Sequence, residues 1–401
     1  MSNSGKGKTD QKEKRKPHVL LIYRKMIPSI RLCGHCQMAY LAEQGEVEYR
    51  ACQEMKLRNR DLNWADIVLL GRLDSWYERK LTEHLHKSGR YLIYIIDDDL
   101  LNIPPEISSA AYYNQPDVQR NIRSMIEMSD AILSPSPKLL EKYAVDGRRA
   151  IQIEEPAIDP VPYKPHDPNQ PVKIGFAGSI DRTGDIESIL KEALIRIKKE
   201  YGNRVQFEFF GAIPSFANEI EARCIPYCDS YDEYRKTLNS LEWDIGLAPM
   251  PDTPFHACKH YNKFVEYAAA GVVGVFSDEM PYTQLRRGAY ESVLCANNSK
   301  AWMDALSELI ESVDREDMRC SLCALCEGSF SVRETSLALL SQLDALNGES
   351  ELHVGGEWWL GVLKCGNALW RGKVIIHRYK LSVSLKLCGA LKGRGETRGN
   401  I

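Results

Sequence analysis

The stretch GFAGSIDRTGD places Gly175, Gly178 and Gly184 around the end of an apolar run and just before a helical pattern. At such a junction, free backbone N–H groups and the positive end of a helix face an anion, and Arg182 supplies a charge partner for a diphosphate. A three-glycine turn alone is equally a tight strand-to-helix connection. A second stretch, Asp244 to Asp278, carries Lys259 and Lys263 at the approach to a helix, Glu266 in its opening turns, and Ala268 to Gly271 for close backbone approach. Lysines there can clamp phosphates, and one carboxylate can accept two hydroxyls of a ribose. A solvated helix face explains one lysine but not the whole constellation.

Four other groups invite a chemical reading. Cys33-Gly34-His35-Cys36 spells the C-x-x-C of a thiol–disulfide oxidoreductase, which needs the motif at a helix N-terminus directly after a strand. Here a loop intervenes and no aromatic residue flanks the first cysteine, so the stretch reads as a strand-to-helix connection. Asp97-Asp98-Asp99 follows an apolar strand and could hold Mg²⁺ or bind hydroxyls, or else cap the next segment and face water. Arg72 has similar standing as a cation beside a cleft. CSLCALC, Cys320 to Cys326, offers three thiols where a cluster takes four, within a helical pattern, and reads as buried helix cysteines. His353 and His377 lack metal-ligand spacing.

These residues are positioned by short apolar strands alternating with amphipathic helices. His18 to Tyr23, Ala65 to Gly71, Arg90 to Ile96, Ala131 to Ser136 and Arg149 to Ile158 read as strands, with helices between them. Asp159 to Pro171 then holds five prolines in thirteen residues, which precludes regular structure and marks a linker. The alternation restarts with strands at Val172 to Ser179, Val205 to Gly211, Asp244 to Met250 and Val272 to Ser277, and closes with a helical region from Lys300 to about Leu346. The pattern predicts an α/β chain of two doubly wound, Rossmann-like domains, 17–158 and 172–346, facing a cleft.

A 401-residue chain with 44% hydrophobic and 27% charged residues can bury two such cores. Its net charge of -3 exerts no overall pull toward nucleic acid, and no run approaches the roughly 18 apolar residues of a membrane span. Residues 1–16 lack an apolar core segment and read as a disordered arm; twelve scattered cysteines read as reduced thiols in a cytoplasmic protein. The tail, 347–401, has nine Lys/Arg against two acids from His353 on, with Trp358, Trp359 and Trp370. It reads as a poorly folded extension, or as a peripheral contact with an anionic membrane surface at the inner face.

At KIGFAGS, WDIGLAP and KFVEYAAAG, with WADIVLLGR, IIDDDLLNIP and the closing FSVRETSLALLSQLDAL, the chain resembles glycosyltransferases of the group 1, or family 4-like, type, from about Pro17 to Leu346. The resemblance implies a GT-B fold whose last helix crosses back. It also implies transfer of a sugar, with retention, from a nucleotide-diphosphate donor to a glycan, lipid-linked or protein acceptor. No cofactor or essential metal is implied, and none is assigned. Glu266 would hold the ribose, Arg182 with Lys259 or Lys263 the diphosphate, and Gly178 and Ser179 would allow the backbone to approach the donor. Arg182 and Lys263 are the catalytic candidates. Arg31, His35, Arg72, Asp97 and Asp98 would line the acceptor side. One departure stands out: where the commoner pattern has a glutamate eight residues before the ribose one, this chain has Cys258. That substitution motivates an alternative, a nucleotide-sugar-binding or scaffolding protein with weak or no turnover. The thiol oxidoreductase is the remote third.

Overall fold

Near-continuous aliphatic runs such as VLLI and IVLL have no polar face to offer water, so both sides of the sheets they form must be covered. In the computed structural model, which describes residues 15–286, 292–343, 360–361 and 363–366, they form two parallel sheets. The first comprises β1 His18–Tyr23, β2 Glu48–Gln53, β3 Ile67–Gly71, β4 Tyr91–Ile95, β5 Ala131–Ser134 and β6 Arg149–Gln152. Its order is β2-β1-β3-β4-β5-β6, every neighbouring pair parallel. The second comprises β7 Val172–Gly178, β8 Val205–Gly211, β9 Arg223–Ile225, β10 Ile245–Ala248, β11 Val273–Ser277 and β12 Val293–Cys295. Its order is β12-β11-β10-β7-β8-β9, again parallel throughout.

Each sheet reverses its winding once, between β1 and β3 in the first and between β7 and β10 in the second. At such switch points the loops beyond the strand carboxyl ends diverge and leave a crevice. The helices are held by ordinary local chemistry. Ser75 caps the helix Trp76–Lys87 through the Glu78 N–H, and Glu78 returns a carboxylate to the Ser75 N–H. Pro116 opens the helix Pro116–Met128.

The expected strand from Arg149 to Ile158 ends at Gln152, and Glu154 and Glu155 become part of the junction between domains. Pro156 lacks the N–H that would continue the ladder. The linker lies along the second domain, where the Val161 N–H donates to Ala269 O and His166 Nδ1 lies 2.6 Å from Asp244 Oδ1. The closing helical region is three helices, Ser299–Glu311, Arg315–Glu327 and Val332–Leu343. The last returns to the first domain, where Leu339 and Leu343 join the cluster of Val19, Leu21 and Leu41, and Gln342 pairs with the Gln152 backbone.

Residues 1–14 of the expected disordered arm lie outside the described residues, and Arg15 is tied to Asp66. Most of the tail lies outside them too, including Trp358, Trp359, Trp370, His353 and His377. The described part departs from a poorly folded extension: Leu360 is buried among first-domain side chains, and Lys364 Nζ donates to Leu57 O at 2.8 Å. In CSLCALC, Cys323 and Cys326 are buried as expected of one helix face, whereas Cys320 is exposed.

Gly175 sits mid-strand beneath the buried Trp243 indole, whose Nε1–H donates to Glu208 Oε2 at 2.8 Å. A methyl at Gly175 would lie 2.1 Å from that ring. Gly175→Ala is therefore expected to destabilise the second domain by about 1–3 kcal/mol, the usual cost of overpacking, read as a lower urea midpoint.

Candidate functional site

On the second-domain side, the crevice is built at the β7/β10 switch point. Gly178 ends β7 directly opposite Gly211 at the end of β8. Gly211 has φ +88°, and a side chain there would lie 2.2 Å from Gly178 O, so glycine keeps the two strand ends together. Ser179 follows, exposed, and opens the turn Ile180–Arg182. The Arg182 guanidinium reaches over the crevice to Pro249 O, just beyond β10, with Nε 3.1 Å from Asp185 Oδ2. Arg182 thus spans the two strands that flank the switch.

The helix Asn262–Ala269 brings Lys263 and Glu266 to the same crevice. The Lys263 ammonium contacts Glu266 Oε2 and donates to the Tyr234 hydroxyl at 2.8 Å, and that hydroxyl donates to Glu266 Oε2, also at 2.8 Å. Burial pushes the Glu266 carboxyl up, but the Lys263 ammonium and the Arg235 guanidinium overcome it and hold the group below the usual carboxylate range. Arg235 also binds the Glu266 carbonyl at 3.0 Å.

Just before this helix the chain crosses to the first domain with three consecutive residues. Lys259 Nζ donates to Asp98 Oδ1 at 2.8 Å, and Tyr261 Oη donates to Glu154 Oε2 at 2.6 Å. Between them the buried His260 ring places Nδ1 3.5 Å from Glu155 Oε2 and Nε2 3.9 Å from Glu154 Oε2. Glu155 also accepts from the Cys33 thiol at 3.1 Å. Phe255 and Cys258 are buried in a first-domain apolar cluster with Leu139, Leu140 and Tyr143. The cysteine that stands where a glutamate was expected is therefore a core residue at the domain interface. His256 is kept neutral, pushed down to about 4 by burial and by Arg182 and Lys259, and Nδ1 lies 2.7 Å from Thr253 Oγ1.

The first-domain wall gathers at the β1/β3 switch point. Arg72 donates to Asp97 at 3.0 Å. Asp98, despite its burial, falls to about 2 because Lys259 and Arg72 favour its charge. Asp99 is buried against Lys142, Tyr143 and Asn102. The three carboxylates therefore do not jointly cap a segment facing water: Asp97 and Asp98 share Arg72, Asp98 also takes Lys259, and Asp99 turns to Lys142 and Tyr143. Sequence reading missed a second group here. Arg24, directly after β1, pairs with Asp74 and Glu78, and Tyr112 Oη donates to Asp74 at 2.5 Å. Arg31 leaves this wall for the second domain, pairing with Asp232, while His35 pairs with Tyr49 Oη at 2.9 Å. Ser108 Oγ bridges to Asp181 at 2.9 Å.

The thiols of Cys33 and Cys36 are both free. Burial, and for Cys33 also Glu155, pushes each above the usual thiol range, the reverse of what a redox thiolate needs. A cavity of about 910 Å³ opens at the opposite end of the second sheet, lined by the proline-rich linker, Asp244 and Glu316. There His166, Asp244 and Glu316 offer ligand atoms within 4.8 Å of one another, but Arg315 faces Asp244 and Arg319 binds Glu316.

Burial opposes charge on His260, and Glu155 and Glu154 overcome it, so its pKa is raised. A raised value contributes stability that is fully present below the ordinary histidine range of about 6.5 and is lost as pH rises through the raised value. His260→Gln should therefore cost most stability below about pH 6.5, with the gap from the parent narrowing toward alkaline pH in urea titrations. A gap independent of pH would contradict this.

No protein-family model matches the chain, and no curated protein matches it. Solved structures do. A glycosyltransferase from Rickettsia africae superposes with a TM-score of 0.57 at 14% identity, over 84% of this chain and 100% of that one. Alr3699/HepE from Anabaena, solved with UDP and glucose, gives 0.53 at 12% identity, over 82% and 99%. A trehalose 6-phosphate synthase from Burkholderia multivorans gives 0.50 at 11%, over 83% and 97%. With two six-stranded parallel sheets, each reversing once, the chain has the GT-B fold.

Proposed function

We propose that this chain is a glycosyltransferase. It moves a sugar from a nucleotide-diphosphate donor to a saccharide, lipid-linked or protein acceptor, with retention at the anomeric carbon. One observation carries the reading: Arg182, from the turn after β7, reaches Pro249 O at the start of the β10–β11 connection, and that same connection carries Lys259, Lys263 and Glu266. Gly178 and Ser179 let the donor approach the backbone there, Glu266 holds the ribose, and the three cations hold the diphosphate. The names of the superposed structures, one a glycosyltransferase and one a complex with UDP and glucose, support the same reading.

As the glycosidic bond breaks, negative charge grows on the leaving diphosphate while the sugar carbon gains oxocarbenium character. Cations already held in place stabilise that charge without reorganising, each worth about 2.7–4 kcal/mol in comparable sites. Here every cation has a carboxylate partner: Arg182 with Asp185, Lys259 with Asp98, Lys263 with Glu266. The acceptor then meets Arg72, Asp97 and Asp98 from the first domain. The eleven described cysteines are all free, which suits a reducing cytoplasm, and no helix among the described residues is long and apolar enough to cross a membrane. The basic tail would supply any peripheral membrane contact.

The burial of Cys258 within the first-domain cluster favours one second reading, a nucleotide-sugar-binding protein without turnover. Binding without release of the nucleoside diphosphate would support it.

Titration with UDP and GDP is expected to show saturable binding that Glu266→Ala and Lys263→Ala each weaken by about tenfold or more, as loss of a charged hydrogen bond implies. Unchanged affinity in both variants contradicts the donor site. Asp98→Asn frees Lys259 from its competitor, so it should strengthen diphosphate binding a few-fold, an advantage that fades as added salt screens the charges. Weaker binding in Asp98→Asn would contradict this competition.

A further inference from the structure

Lys263, Tyr234 and Glu266 form a closed triangle between two helices. The Tyr234 hydroxyl has one hydrogen, and it goes to Glu266 Oε2; the oxygen accepts from the Lys263 ammonium. The same ammonium contacts the same Oε2. With two donors on Oε2, the other carboxylate oxygen keeps only a long contact, 3.5 Å, from Asn262 Nδ2. The ring is fixed independently, stacked on Phe210 with centroids 5.2 Å apart and beside Tyr231 at 6.0 Å.

We infer that Tyr234 is a positioning residue that sets nucleotide specificity: it turns Glu266 Oε1 toward the ribose hydroxyls and fixes the Lys263 ammonium at a set distance from it for the diphosphate. This rests on the donor reading given above. The ammonium has three N–H donors and spends two inside the triangle, which leaves one for a phosphate oxygen. A ribose hydroxyl and a phosphate are thus recognised by two groups joined through one phenol. The pair selects a ribonucleoside diphosphate over a molecule carrying only one of the two features.

The test uses the full chain, titrated calorimetrically with UDP, GDP, CDP and ADP, and then with the 2′,3′-dideoxy form of whichever binds. The parent is expected to prefer the ribose form by roughly tenfold, the usual worth of hydrogen bonds to a charged group. Tyr234→Phe keeps the ring stacking. It should reduce that preference to about threefold or less, weakening the ribose form more than the dideoxy form, a split that loss of structure alone would not produce. Tyr234→His, which restores a donor, should recover part of the preference, and Tyr234→Leu should not. Full ribose preference in Tyr234→Phe, or equal behaviour of the His and Leu variants, overturns the inference while sparing the donor reading. Absence of binding by the parent to all four nucleotides overturns both.

Discussion

The site depends on three consecutive side chains that leave the second domain and are held by the first. Lys259, His260 and Tyr261 meet Asp98, Glu155 and Glu154 across the domain junction. The helix that begins at Asn262 starts from that anchored loop, so the placement of Lys263 and Glu266 is tied to the first domain as well as to their own sheet. Partly exposed ion pairs such as Lys259–Asp98 add little stability alone. The buried pair of His260 and Glu155 is different, because removing one leaves the other's charge where water hardly reaches. Two cores therefore share one interface, with Phe255 and Cys258 contributed to the first domain and Leu339 and Leu343 returned to it by the last helix.

The same arrangement leaves the crevice electrically balanced. Arg182, Lys259 and Lys263 each face a carboxylate, and so does Arg72 on the opposite wall. Under the proposed reading, a diphosphate would exchange with Asp98 at Lys259, whereas Lys263 would keep Glu266 and offer its remaining N–H. Because Asp98 belongs to the first domain and Lys259 to the second, that exchange would couple donor occupancy to the contact between the domains.

Much of the architecture was legible in the sequence, because a parallel sheet covered on both faces writes continuous apolar runs. His18 to Tyr23 and Val205 to Gly211 are strands over the residues expected, and the five prolines from Asp159 to Pro171 separate the two sheets. The edge strands β2 and β9 were not legible, because EYRACQ and RCI expose polar side chains and carry no apolar signal. Within the site, sequence reading brought forward Arg182, Lys259, Lys263 and Glu266. It missed Tyr234, His260, Glu154 and Glu155. Those four act through partners dozens of residues distant, and residue type alone does not disclose such pairings. Arg31 shows the same limit from the other side: its position after β1 suggested an acceptor contact, and its pairing with Asp232 of the second domain was not legible. The glycine-rich turn reads in the sequence as a phosphate cradle or a tight connection; the pairing of Gly178 with Gly211 and the reach of Arg182 to Pro249 O were not legible there.

The central claim is that a nucleotide-diphosphate sugar is bound and cleaved at the β7/β10 switch point. The most direct measurement incubates the purified chain with a panel of UDP-, GDP-, CDP- and ADP-linked sugars and follows release of the nucleoside diphosphate, with water as acceptor. Release from one nucleotide class, abolished by Arg182→Ala, is the predicted result. Absence of release across the whole panel would contradict the account.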